Sequence, residues 1–182
     1  MGPFEYFWFL VFVFFIFIAL VRGYNRELGA TTMIFVALFL ITYLLEPRLP
    51  AIVSKSYRQV MKASLSPRQL DNYLANLYSL IFIAIIFASY AGETFSLKGK
   101  TAPGWRGTLY NILIGAVNGY LVAGTLWYFQ DKFHYPSADL GILNLPLTQM
   151  GEHLANFLPP YVIPPIFWAV LVTIMLLFRV KN

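Results

Sequence analysis

The sequence predicts an all-α integral membrane protein: a helical bundle of about five transmembrane helices, with amphipathic helices at the interface. Three observations lead there. Hydrophobic residues make up 59% and charged residues 12% of the 182-residue chain, against about 45–50% and about 25% in an average soluble domain. Mean hydropathy is +0.65. The apolar residues gather in windows near the roughly 20 residues a helix needs to cross a hydrocarbon core of about 30 Å. Backbone groups in lipid must be satisfied within the spanning structure, and such windows satisfy theirs as helices. There is no cysteine, which excludes a disulfide scaffold, thiol catalysis, iron–sulfur ligation and cysteine-based zinc sites. The chain reads as one membrane domain, 1–182.

The first span covers 4–21 and is interrupted only by Glu5. Met1 to Phe7 contains no Lys or Arg, and Arg22-Gly23-Tyr24 follows the apolar run where a signal peptide would carry small residues. A retained anchor is therefore expected rather than a cleaved leader. Its aromatic residues occupy every face, so lipid or other apolar helices should surround it. The second span is 28–45, stopped by Pro47 and Pro50.

A basic amphipathic stretch follows at 51–65, with Ile52, Val53, Val60, Met61 and Leu65 set among Lys55, Arg58 and Lys62. It should lie in the headgroup plane with those three cations on anionic lipid. Ser66-Pro67-Arg68-Gln69 has the form of a capping box. It would start the third helix two turns before its membrane part, 73–91. The fourth span is 108–129. The loop 130–160 holds a second interfacial segment at 147–157. The fifth span, 164–180, has the shortest clean apolar run and would also suit a half-span or an interfacial helix. Tyr6, Trp8, Tyr90, Trp105, Trp127, Tyr128 and Trp168 lie near span ends, where aromatic belts form.

With five spans, basic residues divide six against seven between the two sides. The bare N-terminus, Arg22 and Arg26 after the first span, and an acidic balance in 130–160 favour the N-terminus outside and the C-terminus inside. The basic 46–72 segment argues the other way.

Little in the sequence carries chemistry. His134 and His153 share a loop with Asp131, Asp139 and Glu152, but their spacing fits no ligand motif, and water-facing loop residues are the plainer reading. No Gly-x-Ser-x-Gly elbow surrounds Ser137, and phosphate-binding and dinucleotide-binding glycine patterns are missing. No enzyme, metal or cofactor is expected. The net charge of +5 sits at membrane flanks, which suits anionic headgroups rather than nucleic acid. No ionisable residue falls in the middle of a span, as ion-coupled pumps require.

Two places stand out. Arg22, Gly23, Arg26 and Glu27 form a dense polar turn between the first two spans. Arg22 and Arg26 should reach one headgroup layer, with Glu27 pairing locally. On the fourth helix Gly107, Thr108, Asn111, Gly115, Asn118, Gly119 and Thr125 share an arc of about 120°. Asn111, Gly115, Asn118 and Gly119 would form a close helix-packing face, or would line a polar path. The opposite arc, Tyr110, Leu113, Val117, Leu121 and Tyr128, would meet lipid or aromatic neighbours.

These two places resemble the colicin V production protein family. Glu5-Tyr6 before an apolar span, then Val21-Arg22-Gly23-Tyr24-Asn25-Arg26-Glu27-Leu28, is similar to the opening of that family. Gly115-Ala116-Val117-Asn118-Gly119-Tyr120-Leu121-Val122 is similar to its last core span. The resemblance covers about residues 5 to 132. Asn118 stands where the family often has Arg, Gly107-Thr108 replaces a common Asp-Arg pair, and the fifth helix is extra. The resemblance implies a bacterial inner-membrane protein, accessory to toxin export or envelope homeostasis, without enzyme activity. Two other readings stand beside it: a small accessory subunit of a respiratory or photosynthetic complex, and a minor channel or transporter. Expected partners are membrane lipids and either further copies of the chain or other membrane subunits.

Overall fold

A computed structural model of the chain describes residues 3–91, 103–139 and 145–181. Helix α1 spans Pro3–Arg22 and α2 spans Tyr24–Phe39, continued as one π-helical stretch by Leu40–Leu45. Gly23 separates them with φ of 84°, a backbone region that residues bearing a Cβ rarely enter. Helix α3 is Leu49–Met61, α4 is Pro67–Ala91 and α5 is Trp105–Lys132. Short helices α6 (Pro136–Asp139), α7 (Gln149–Ala155) and α8 (Pro159–Val162) precede α9 (Pro165–Lys181). The described residues contain helices and no strand. The protein is an all-α membrane protein.

Four of these helices, α1, α2 with its π-helical extension, α4 and α5, are long and apolar enough to cross a bilayer. The expected fifth span is a helix of 17 residues, about 25 Å long and so shorter than a core of about 30 Å. It lies along α2, with the Trp168 and Phe35 rings 5.8 Å apart.

Helix α5 is the hub, touching α1, α2, α4 and α8. Its approach to α1 is closest because glycine leaves backbone against backbone. A Cβ at Gly119 would lie 2.6 Å from the Phe12 carbonyl oxygen, and one at Gly115 2.8 Å from the Ile16 Cα. Neither space can be made by turning a side chain. Tyr78, Phe82, Phe129 and Phe133 form an aromatic seam between α4 and α5.

The arc of the fourth span expected to meet lipid or aromatic neighbours divides. Tyr110, Leu113 and Val117 are exposed, whereas Leu121 and Tyr128 are buried, Tyr128 against the Tyr161 ring of α8 and the Glu46 carboxylate. Trp127, Tyr128 and Trp168 likewise belong to the core rather than to an interface belt, whereas Tyr6 and Trp105 are exposed. Helix α3 ends at Met61 because Lys62 turns left-handed, with φ of 52°. Ser66 and Gln69 then close a reciprocal box: the Ser66 amide donates to Gln69 Oε1 at 3.0 Å, and the Gln69 amide to Ser66 Oγ at 3.3 Å.

Candidate functional site

The most elaborate polar cluster begins at the α1–α2 corner. Because Gly23 lets the chain reverse, Arg22 ends α1 and Glu27 falls in the first turn of α2, where the helix dipole favours an anion. The Tyr24 amide at the start of α2 donates to Asn111 Oδ1 of α5 at 2.8 Å. That bond satisfies one of the amides a helix start leaves unpaired.

Glu27 is completely buried. Tyr90 Oη of α4 donates to its Oε2 at 2.8 Å, and Asn118 Nδ2 of α5 donates to the same oxygen at 2.9 Å. Arg22 Nε lies 3.2 Å from Oε1 as an ion pair, although its N–H is not aimed at that oxygen. Charge thus holds one oxygen and directed bonds hold the other. The Arg22 guanidinium also donates to the Tyr90 carbonyl at 3.1 Å and covers the Tyr90 ring at 4.4 Å. Asn118 Nδ2 reaches the Glu27 carbonyl at 3.2 Å. Thr31 Oγ1 lies 2.7 Å from Asn118 Oδ1 and 2.9 Å from the Glu27 carbonyl, so two acceptors compete for its one proton. A buried carboxylate persists only when it is paired and hydrogen-bonded in this way. The arrangement ties the end of α1 to α2, α4 and α5.

A second polar group closes the opposite end of the bundle. Glu46, just after the π-helical stretch, pairs with Lys132 and accepts from Tyr128 Oη at 3.0 Å. Beside it, Asp131 accepts from Tyr135 Oη at 2.7 Å and Tyr161 Oη at 2.8 Å, and Trp127 Nε1 donates to Tyr135 Oη at 3.0 Å. Burial first, and then the bond to Asp131, push the Tyr135 hydroxyl far above its ordinary titration range. It stays protonated and can keep donating.

A third acid, Glu5, is buried in the first turn of α1. Its Oε1 accepts from the Thr148 amide at 3.2 Å and from Thr148 Oγ1. Thr148 in turn caps α7 through the Gly151 amide. Gly151 leaves the room, since a Cβ there would lie 1.9 Å from Glu5 Oε1.

The predicted residues divide between these settings. Asn118 and Glu27 meet in one cluster, Asn111 meets α2, and Gly115 and Gly119 face α1. Arg22 turns to Glu27, while Arg26 stays exposed. Glu27 pairs locally with Arg22, as expected, and also with Tyr90 of α4 and Asn118 of α5. Lys55, Arg58 and Lys62 are exposed on and just after α3. His134 follows α5 and His153 lies on α7, and among the described residues no three potential metal ligands come together. Lys98 and Lys100 lie outside the described residues. The sequence reading missed Tyr90, Thr31, Glu46 with Lys132, and Glu5 as a tether. A lone acid at an apolar span's edge was the available signal for both Glu5 and Glu46.

Comparison with known protein families, curated proteins and solved structures finds no match to this chain.

Proposed function

We propose that this chain is a non-enzymatic multispan membrane protein that acts by assembly, as an accessory to export or envelope homeostasis in a bacterial inner membrane. The observation that carries this reading is the contrast between the inside and outside of the bundle. Arg22, Glu27, Tyr90 and Asn118 bind one another across helices. Meanwhile α1 turns Phe7, Phe9, Phe14 and Phe17 outward, each more than half exposed. Contiguous exposed aromatic surface suits lipid or the helix of a neighbour. The resemblance to colicin V production proteins supports the same reading through residues the cluster uses. Lys55, Arg58 and Lys62 add a basic edge suited to anionic headgroups.

The same outward ridge favours a second reading, an accessory subunit of an energy-transducing complex. Purification in gentle detergent followed by mass spectrometry separates the two. Export or envelope proteins, or further copies of this chain, support the first reading; redox or photosynthetic subunits replace it with the second. The channel reading keeps less support, because Asn111 and Asn118 are bonded to α2 instead of lining an open path.

A further inference from the structure

Heights along the bundle can be read from cross-helix contacts. Asn111 meets Tyr24 at one end of α5, and Lys132 meets Glu46 at the other. About 31 Å of helix separates Asn111 from Lys132, close to the thickness of a hydrocarbon core. Gly124, about 12 Å below Lys132, packs on Pro159, since a Cβ at Gly124 would lie 2.5 Å from the Pro159 Cδ. Tyr120, about 18 Å below Lys132, donates its hydroxyl to the Phe157 carbonyl at 2.5 Å. Thr148, held by Glu5, enters about 9 Å below Lys132, because Glu5 lies two turns before Phe12, which faces Gly119. Tyr161 then returns to Asp131, beside Lys132.

The chain from Thr148 to Tyr161 therefore descends toward the middle of the bundle and climbs back to the same face. Helix α9 leaves from this depth, with Trp168 beside Phe35, so its 17 residues fit the remaining distance. Non-helical backbone at such depth is tolerated only inside protein or beside water. Here Glu152 and Asn156 are exposed at that depth, and a carboxylate facing hydrocarbon would be costly. Both line a cavity of about 440 Å³ with Asp131, Leu147, Ala155 and Tyr161.

We propose that α7 and α8 form a re-entrant hairpin lining a water-filled vestibule, which opens on the Glu46–Lys132 face and ends near Tyr120, partway across the membrane. It admits water and small polar solutes to the protein's interior. Asp131 and Glu152 are its charged lining groups, so its field disfavours anions.

The native chain has no cysteine, so single cysteines can be introduced directly and probed with membrane-impermeant thiol reagents in membranes open on both sides. Asn156→Cys and Glu152→Cys test the vestibule, and Ser64→Cys in the exposed α3–α4 loop is the aqueous reference. Phe87→Cys is the lipid reference at matching height: Phe87 lies three residues before Tyr90, which meets Glu27 beside Asn118, and it lines one cavity with Val122, between Tyr120 and Gly124. Phe87 is 73% exposed. The expected result is that Asn156→Cys and Glu152→Cys react at rates near Ser64→Cys and about a hundredfold faster than Phe87→Cys, because hydrocarbon excludes an ionised reagent. At Asn156→Cys a cationic reagent should react faster than an anionic one. Protection of both vestibule cysteines to the level of Phe87→Cys overturns the water-filled vestibule. Full reactivity of Phe87→Cys overturns the re-entrant depth. Equal rates for the two reagents remove the field.

Discussion

Asn118 Nδ2 on α5 donates to Glu27 Oε2 on α2 across 2.9 Å, with both side chains wholly buried. Removing the acid would leave Arg22, Tyr90 and Asn118 facing one another without their common acceptor. Glu27→Ala should cost about 3–5 kcal/mol, the usual penalty for breaking a buried pair from one side. Glu27→Gln keeps an acceptor and should cost less. Thermal unfolding in detergent should rank the variants in that order, and equal melting temperatures for Glu27→Ala and the native chain would refute the tie.

The α1–α5 contact yields a second prediction. Gly119→Leu must push α1 away, because the clash is with the Phe12 backbone. Leu121→Ala leaves a cavity at a buried site, expected to cost about 2–5 kcal/mol. Gly119→Leu should lower the melting temperature more, since separating two helices forfeits many dispersion contacts at once. A larger drop for Leu121→Ala would show that burial at Leu121 outweighs the glycine contact.

Gly151→Ala should displace the Glu5 carboxylate from Thr148, since the added methyl would occupy the place of Glu5 Oε1. The chain between α6 and α9 should then open to proteases before the four spans do. Limited proteolysis should show earlier cleavage near 145–160 in Gly151→Ala and in Glu5→Ala. Unchanged cleavage in both would mean that Pro159 on Gly124, Tyr120 with Phe157 and Tyr161 with Asp131 hold the hairpin without Glu5.

Sidedness follows from the bare N-terminus and from Arg22 and Arg26. In intact cells an external thiol reagent should label Ser64→Cys and spare Arg26→Cys. The reverse pattern would place the basic α3 segment inside and invert the protein.

Much of the architecture was legible in the sequence. Continuous apolar windows dictate helices in lipid, because the backbone there has no water to bond. The glycine break at Gly23 and the Ser66–Gln69 box are local, so sequence neighbours determine them. The small-residue arc on the fourth span could also be read, since 3.6-residue periodicity shows which side chains share a face.

What tertiary structure alone decided was which faces met. Leu121 and Tyr128 lie on an arc that looks outward in isolation, yet both are buried, Tyr128 against Tyr161 of α8. Glu27 looks like a surface anchor beside two arginines until α4 and α5 bring Tyr90 and Asn118 to it. The segment around 147–157 has the composition of an interfacial helix, and its tethers come from distant helices: Glu5 of α1 meets Thr148, and Tyr120 of α5 meets the Phe157 carbonyl. Periodicity records the environment of one helix at a time. Tyr90 and Asn118 for Glu27, and Thr148 for Glu5, stand 63 to 143 residues away in the chain, and only the packing of whole helices brings them within bonding distance.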